Sequence, residues 1–172
     1  DPMKRPDPGT FTVCKDPKDA PDVITTIEVE FRDAKPIRVT DKNDGRTETE
    51  PLPLFLFLNE LGRENGVGRI DMVENRVVGL KSREVYEGPA AVVLHMAHRE
   101  LERVVLDRAT SQYKAKIAQD FATLIYDGLW FGPLREAMQA FIEESQRTVT
   151  GEVRIRVSAG LARITGRRSP YS

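Results

Sequence analysis

Two short stretches of strict apolar–polar alternation stand near opposite ends of the chain and bracket most of what lies between. Ile27, Val29 and Phe31 alternate with Glu28 and Glu30, and Val153, Ile155 and Val157 alternate with Arg154 and Arg156. A period of two sends every second side chain to the same face, so each stretch predicts a strand with one buried and one wet face. Ile37 and Val39 repeat the pattern after the short connection 32–35, which predicts an antiparallel hairpin. Near the other end, a turn at Ala159-Gly160 leads into a further strand over Leu161 to Thr165. Strands, then helices, then strands predict an α+β domain. Its sheet is antiparallel or mixed, with a block of three helices between the N-terminal and C-terminal strands.

Helical spacing dominates the middle. Pro53 to about Glu64 is expected to be helical, with Leu54, Leu58 and Leu61 on one side and Gly66 ending the helix. A long helix is expected from Pro89 to about Leu106, its half from Ala90 to Ala97 apolar nearly all round and therefore buried in the domain or in a subunit contact. A second follows over Ser111 to Tyr126, with Ile117, Phe121, Leu124 and Ile125 at helical spacing, and a third begins after Pro133. Arg69 to Glu74 and Arg76 to Leu80 are short strand candidates joined at Asn75. Residues 1–22 carry five of the eleven prolines and predict an extended strap or linker, leaving 23–172 as one domain.

Bulk properties exclude more than they select. Net charge is −1, so no global field draws the chain to nucleic acid or an anionic membrane. No apolar run approaches the roughly 20 residues that a membrane-spanning helix requires. Cys14 is the only cysteine, so no internal disulfide is possible. Asp1 is not a natural initiator, and the chain is expected to be cleaved or part of a longer protein.

Several motifs suggest chemistry and are weak. Gly66-Val67-Gly68-Arg69 lacks a third glycine and precedes a strand rather than a helix, so a tight turn outweighs a phosphate loop. The segment 41–45 begins like a calcium loop, but its glycine falls one position early and no glutamate closes it. His95 and His98 lie one helical turn apart with no third ligand. Arg154, Arg156, Arg163, Arg167 and Arg168 have little aromatic interleaving, which favours a solvated face or a subunit contact over RNA binding. Cys14 has no histidine beside it and is not expected to be a nucleophile. The polar stretch from Asp71 to Tyr86 is costly to bury unless its groups are paired with one another or with a ligand, and composition alone favours a salt-bridged loop.

That stretch carries a resemblance. Residues 66–76 read GVGRIDMVENR and residues 81–87 read KSREVYE. They resemble the GVGRIDIVENR and KSRGVYE segments of argininosuccinate synthases, and the similarity continues through Leu94 to His98, Leu124 to Pro133 and Val149 to Gly151. The resemblance implies part of a ligase that joins citrulline to aspartate while ATP is cleaved to AMP and pyrophosphate. It implies a cytoplasmic homotetramer, with ATP and Mg2+ held mainly by an upstream domain outside these residues. It also implies that Glu74 and Tyr86 contact citrulline and that Arg83 braces the loop. The alternative class is a non-catalytic assembly domain of a divergent paralogue. Glu84 stands where the family usually has glycine, and would be strained if that backbone needs a positive φ. Arg168 stands where the family usually has glutamate.

Overall fold

The alternation at both ends builds one sheet. In the computed structural model, which describes residues 3–7 and 9–172, the strands are β1 (Thr25–Arg32), β2 (Lys35–Asp41), β3 (Thr47–Glu48), β4 (Arg69–Asn75), β5 (Lys81–Glu87), β6 (Gly151–Ser158) and β7 (Leu161–Arg168). Five of them form a sheet of order β3-β2-β1-β6-β7, and every described pair is antiparallel. The helices are α1 (Pro51–Glu64), α2 (Pro89–Val105), α3 (Arg108–Tyr126) and α4 (Pro133–Gln146). The α+β expectation and the block of three helices, α2 to α4, hold.

Register explains the alternation. Val29 lies opposite Val39 on one side and Val153 on the other, and Ile27 lies opposite Ile155. These side chains share the face that meets α1 and α2, where Leu54, Leu58, Val93, Ala97 and Leu101 complete the core. The opposite face is solvated and laced by ion pairs: Glu28 meets Arg154 at 2.6 Å and Lys42 at 3.2 Å, and Glu30 meets Arg38 at 2.5 Å. The turn joining β1 to β2 puts Asp33 at φ 48° and Ala34 at φ 63°. Two successive left-handed residues match the twist of a tight hairpin but strain side chains that carry a Cβ. Bonds from Asp33 N–H to Thr150 Oγ1 (3.0 Å) and from Ala34 N–H to the Val149 carbonyl (2.8 Å) hold the turn in place.

Both α2 and α3 form as expected, and each keeps apolar surface that the described chain does not bury. Only one stripe of the first half of α2 is buried, Ala90, Val93 and Ala97, while Ala91 and His95 face solvent. Along α3 no residue is fully buried, so Ile117, Phe121, Leu124 and Ile125 form a stripe that the described chain covers only in part. Asp107 starts α3 by accepting from the N–H groups of Ala109 (2.8 Å) and Thr110 (3.0 Å). No described helix is long and apolar enough to cross a membrane.

The second sheet is the hairpin β4–β5, inserted between α1 and α2. Its second strand is not where the sequence placed it. Arg76 to Leu80 forms the connection, closed by Arg76 N–H to the Leu80 carbonyl at 2.7 Å, and the strand runs Lys81–Glu87. Gly68 fastens the base of the hairpin to α2. Its carbonyl accepts from Gly88 N–H at 3.0 Å, and a Cβ at its φ of 101° would sit 2.6 Å from Pro89 backbone atoms.

Candidate functional site

Strand alternation gives the hairpin two distinct faces. Met72 lies opposite Glu84, Glu74 opposite Ser82 and Ile70 opposite Tyr86, and these six share one face. Arg69, Asp71, Arg83 and Glu87 belong to the other.

The N-terminal strap occupies that second face. Arg83 holds Asp71 with two parallel bonds of 2.8 and 2.6 Å, and its Nη1 donates to the Lys4 carbonyl at 2.5 Å. The Arg69 guanidinium lies over the Phe11 ring, 3.9 Å from its centre. The Glu87 carboxylate accepts the backbone N–H groups of Thr12 (2.8 Å), Val13 (3.0 Å) and Cys14 (2.6 Å). Burial pushes the Glu87 carboxyl up, but the backbone donors of Cys14, Val13 and Thr12 hold it below the usual range. The bracing expected of Arg83 is therefore observed, as a bond to Asp71 and to the strap.

Ile70, Met72 and Tyr86 on the first face are exposed. Tyr86 donates its hydroxyl to Glu74 Oε2 at 2.9 Å, so the two residues singled out by motif meet directly. Arg76, just past the end of β4, stands 3.3 Å from Glu74 Oε1, donates to Ser82 Oγ at 2.8 Å and pairs with Glu84. The bond to Glu74 raises the Tyr86 pKa, with partial burial and the charges of Glu74 and Glu84 adding to it. Formally the cluster holds two carboxylates and one guanidinium, an excess of one negative charge that suits a ligand ammonium. Tyr86 is 45% exposed. Together with Ile70, Val92, His95, Met96 and Arg99 it also lines a groove of about 560 Å³ between the hairpin and α2.

Glu84 is unstrained. Among the described residues, Asp33 and Ala34 are the only non-glycine positions with positive φ, and Glu84 is ordinary extended strand paired with Met72. Arg168 forms an ion pair with Glu152 at 2.7 Å.

The weaker motifs resolve as structure. A Cβ on Gly66 would stand 2.8 Å from the Lys15 carbonyl oxygen and 3.1 Å from Pro17, so the strap fills the space that a phosphate would need. Segment 41–45 is a turn in which the Asp41 and Asp44 side chains accept from the N–H groups of Asn43 and Arg46. His98 bonds Gln146 at 2.8 Å, and burial lowers its pKa. No described group of three His, Cys, Asp or Glu side chains could hold a metal ion. Of the five C-terminal arginines, Arg154 pairs with Glu28 and Arg168 with Glu152 on the solvated face, while Arg167 pairs with Glu100 of α2 on the other side of the sheet.

A family model described as the arginosuccinate synthase C-terminal domain matches residues 1–172. The chain belongs to this family. It is 50% identical over all 172 residues to the argininosuccinate synthases of Chlorobium phaeobacteroides and Chlorobaculum tepidum, and 48% identical to that of Chlorobium luteolum. In each case it spans 42% of the relative's length. Within this argininosuccinate synthase domain, sequence reasoning missed Arg76 and Ser82 as partners in the Glu74–Tyr86 cluster, and Glu87 as the strap's anchor. Their roles depend on the strand register, which no local signal in the sequence specifies.

Proposed function

We propose that this domain supplies the amino-acid side of an ATP-dependent ligase that joins citrulline to aspartate, giving argininosuccinate, AMP and pyrophosphate. The observation that carries the proposal is the Tyr86–Glu74 bond of 2.9 Å on the open face of the hairpin. Glu74 takes the citrulline ammonium through a charge-assisted hydrogen bond, and Tyr86 orients that carboxylate while remaining able to turn its hydroxyl to a substrate oxygen. Both roles are positioning, and they matter because the reacting groups must be held in line before any bond is made.

The residues present here do not fit the nucleotide or its metal. The Gly66–Gly68 turn is filled by the strap and by Pro89, and no acidic or histidine cluster is built for Mg2+ among the described residues. ATP and Mg2+ are therefore proposed to be held by other parts of a longer, cytoplasmic enzyme. Further copies of the chain are proposed to cover the exposed apolar residues Tyr126, Leu129, Trp130, Phe131 and Leu134 in a homotetramer.

Steady-state kinetics on the full-length enzyme test the site. Glu74→Ala should raise the citrulline KM by about tenfold or more, the scale of losing a charge-assisted bond, with the ATP KM changed far less. An unchanged citrulline KM would remove Glu74 from the site.

A further inference from the structure

Arg76 is shared unequally between the two strands of the hairpin. Its Nε donates to Ser82 Oγ at 2.8 Å and its Nη2 pairs with Glu84, both on β5. Its Nη1 stands 3.3 Å from Glu74 Oε1, a longer approach on the β4 side. Ser82, Glu84 and Tyr86 lie on the same face as Glu74, so the guanidinium sits within the cluster and not at a distance from it.

We infer that Glu84 is a positioning residue for the amino-acid site: by holding Arg76 on β5 it leaves the Glu74 carboxylate available to an ammonium-bearing ligand. The inference rests on the reading of Glu74 as the ammonium's partner. Arg76 gives Ser82 and Glu84 one bond each, and with its Nε and Nη2 arms committed to β5 it meets Glu74 only through Nη1. With Glu84 present, the Nε and Nη2 arms are directed to β5. Without it, a small side-chain rotation tightens the existing 3.3 Å Arg76–Glu74 ion pair into a two-bond pair. The ligand ammonium would then have to displace a guanidinium already in place. Glu84 thus acts through Arg76, without touching the ligand itself.

A double-mutant cycle on the full-length enzyme separates this role from a general field effect. Glu84→Gln should raise the citrulline KM by about threefold to fivefold, the scale set by a solvent-screened ion pair, with kcat and the ATP KM unchanged. In an Arg76→Gln background the same substitution should change the citrulline KM by less than about twofold, because the two residues act as one unit. Glu84→Asp, which retains the carboxylate, should give a citrulline KM nearer to the native value than Glu84→Gln does. This comparison decides the question if Arg76→Gln melts before assay.

Equal effects of Glu84→Gln in both backgrounds would show that Glu84 acts as an independent charge and would overturn the inference. So would a silent Glu84→Gln, or a Glu84→Asp enzyme no better than Glu84→Gln. Glu74→Ala assayed in parallel tells the two failures apart. If it leaves the citrulline KM unchanged, the site reading fails and this inference fails with it. If it raises the citrulline KM while Glu84→Gln is silent, only the role of Glu84 fails.

Discussion

The chemistry of a single sulfur atom, Cys14 Sγ, follows from its surroundings. The side chain is buried, its S–H donates to the Val67 carbonyl at 3.4 Å, and the Glu87 carboxylate is nearby. Burial first, and then the negative charge of Glu87, push the thiol up to about 11. At pH 8 that leaves about one thiolate in a thousand, and the thiolate is the reactive form. Native protein at pH 8 should therefore resist a maleimide for hours and take up one equivalent within minutes in denaturant, as followed by intact mass. Rapid labelling of the native protein would mean that the strap opens readily around residue 14. Glu84 offers a similar lesson in the opposite direction. A glutamate in place of glycine is strained only at positive φ, and the extended strand at this position accommodates it.

The strap and the hairpin together behave as one element, fastened by Glu87. Its carboxyl is held below the ordinary glutamate range, so over that interval the unfolded chain binds more protons and stability rises with pH. The contribution is fully present above the ordinary glutamate value of about 4.3 and is lost as pH falls through the depressed native value. Glu87→Gln should therefore lower the urea midpoint at pH 6, and the difference from the native protein should shrink as pH falls below the ordinary glutamate value. The amides of Thr12, Val13 and Cys14 should exchange faster in the variant at pH 6. Parallel urea curves from pH 3 to pH 7 would count against this role. The same hairpin shows where sequence reasoning stopped. Val77, Val78 and Leu80 look like strand residues but lie exposed around the turn, Val78 at 78%. β5 itself places charged side chains on both faces, so it lacks the apolar period that revealed β1 and β6. Its pairing register is what brings Tyr86 to Glu74. Motif resemblance could name those two residues, but not the bond between them.

At the scale of the whole molecule, the sheet and the first two helices form a closed core, while α3 and α4 present an apolar surface. Phe131 is 93% exposed, with Leu129, Trp130 and Leu134 beside it, a cluster of the kind found at protein contacts. If this surface joins copies of the chain, Phe131→Glu should shift the full-length enzyme to smaller species in light scattering, with little change in the melting of the isolated fold. A variant of unchanged size would place the contact elsewhere. The sheet also sets a clock. β1 gains its β2 partner within a few residues, but its other edge waits for β6, which pairs with it more than a hundred residues later in the chain. Contacts so distant in sequence form late, after the loop between them has closed. During synthesis at about 5–20 residues per second, that edge of β1 stays unpaired for roughly 5–25 s after it emerges. In that interval a neighbouring nascent chain can offer it the wrong strand, so expression at a lower density of nascent chains should improve the yield of correctly assembled protein.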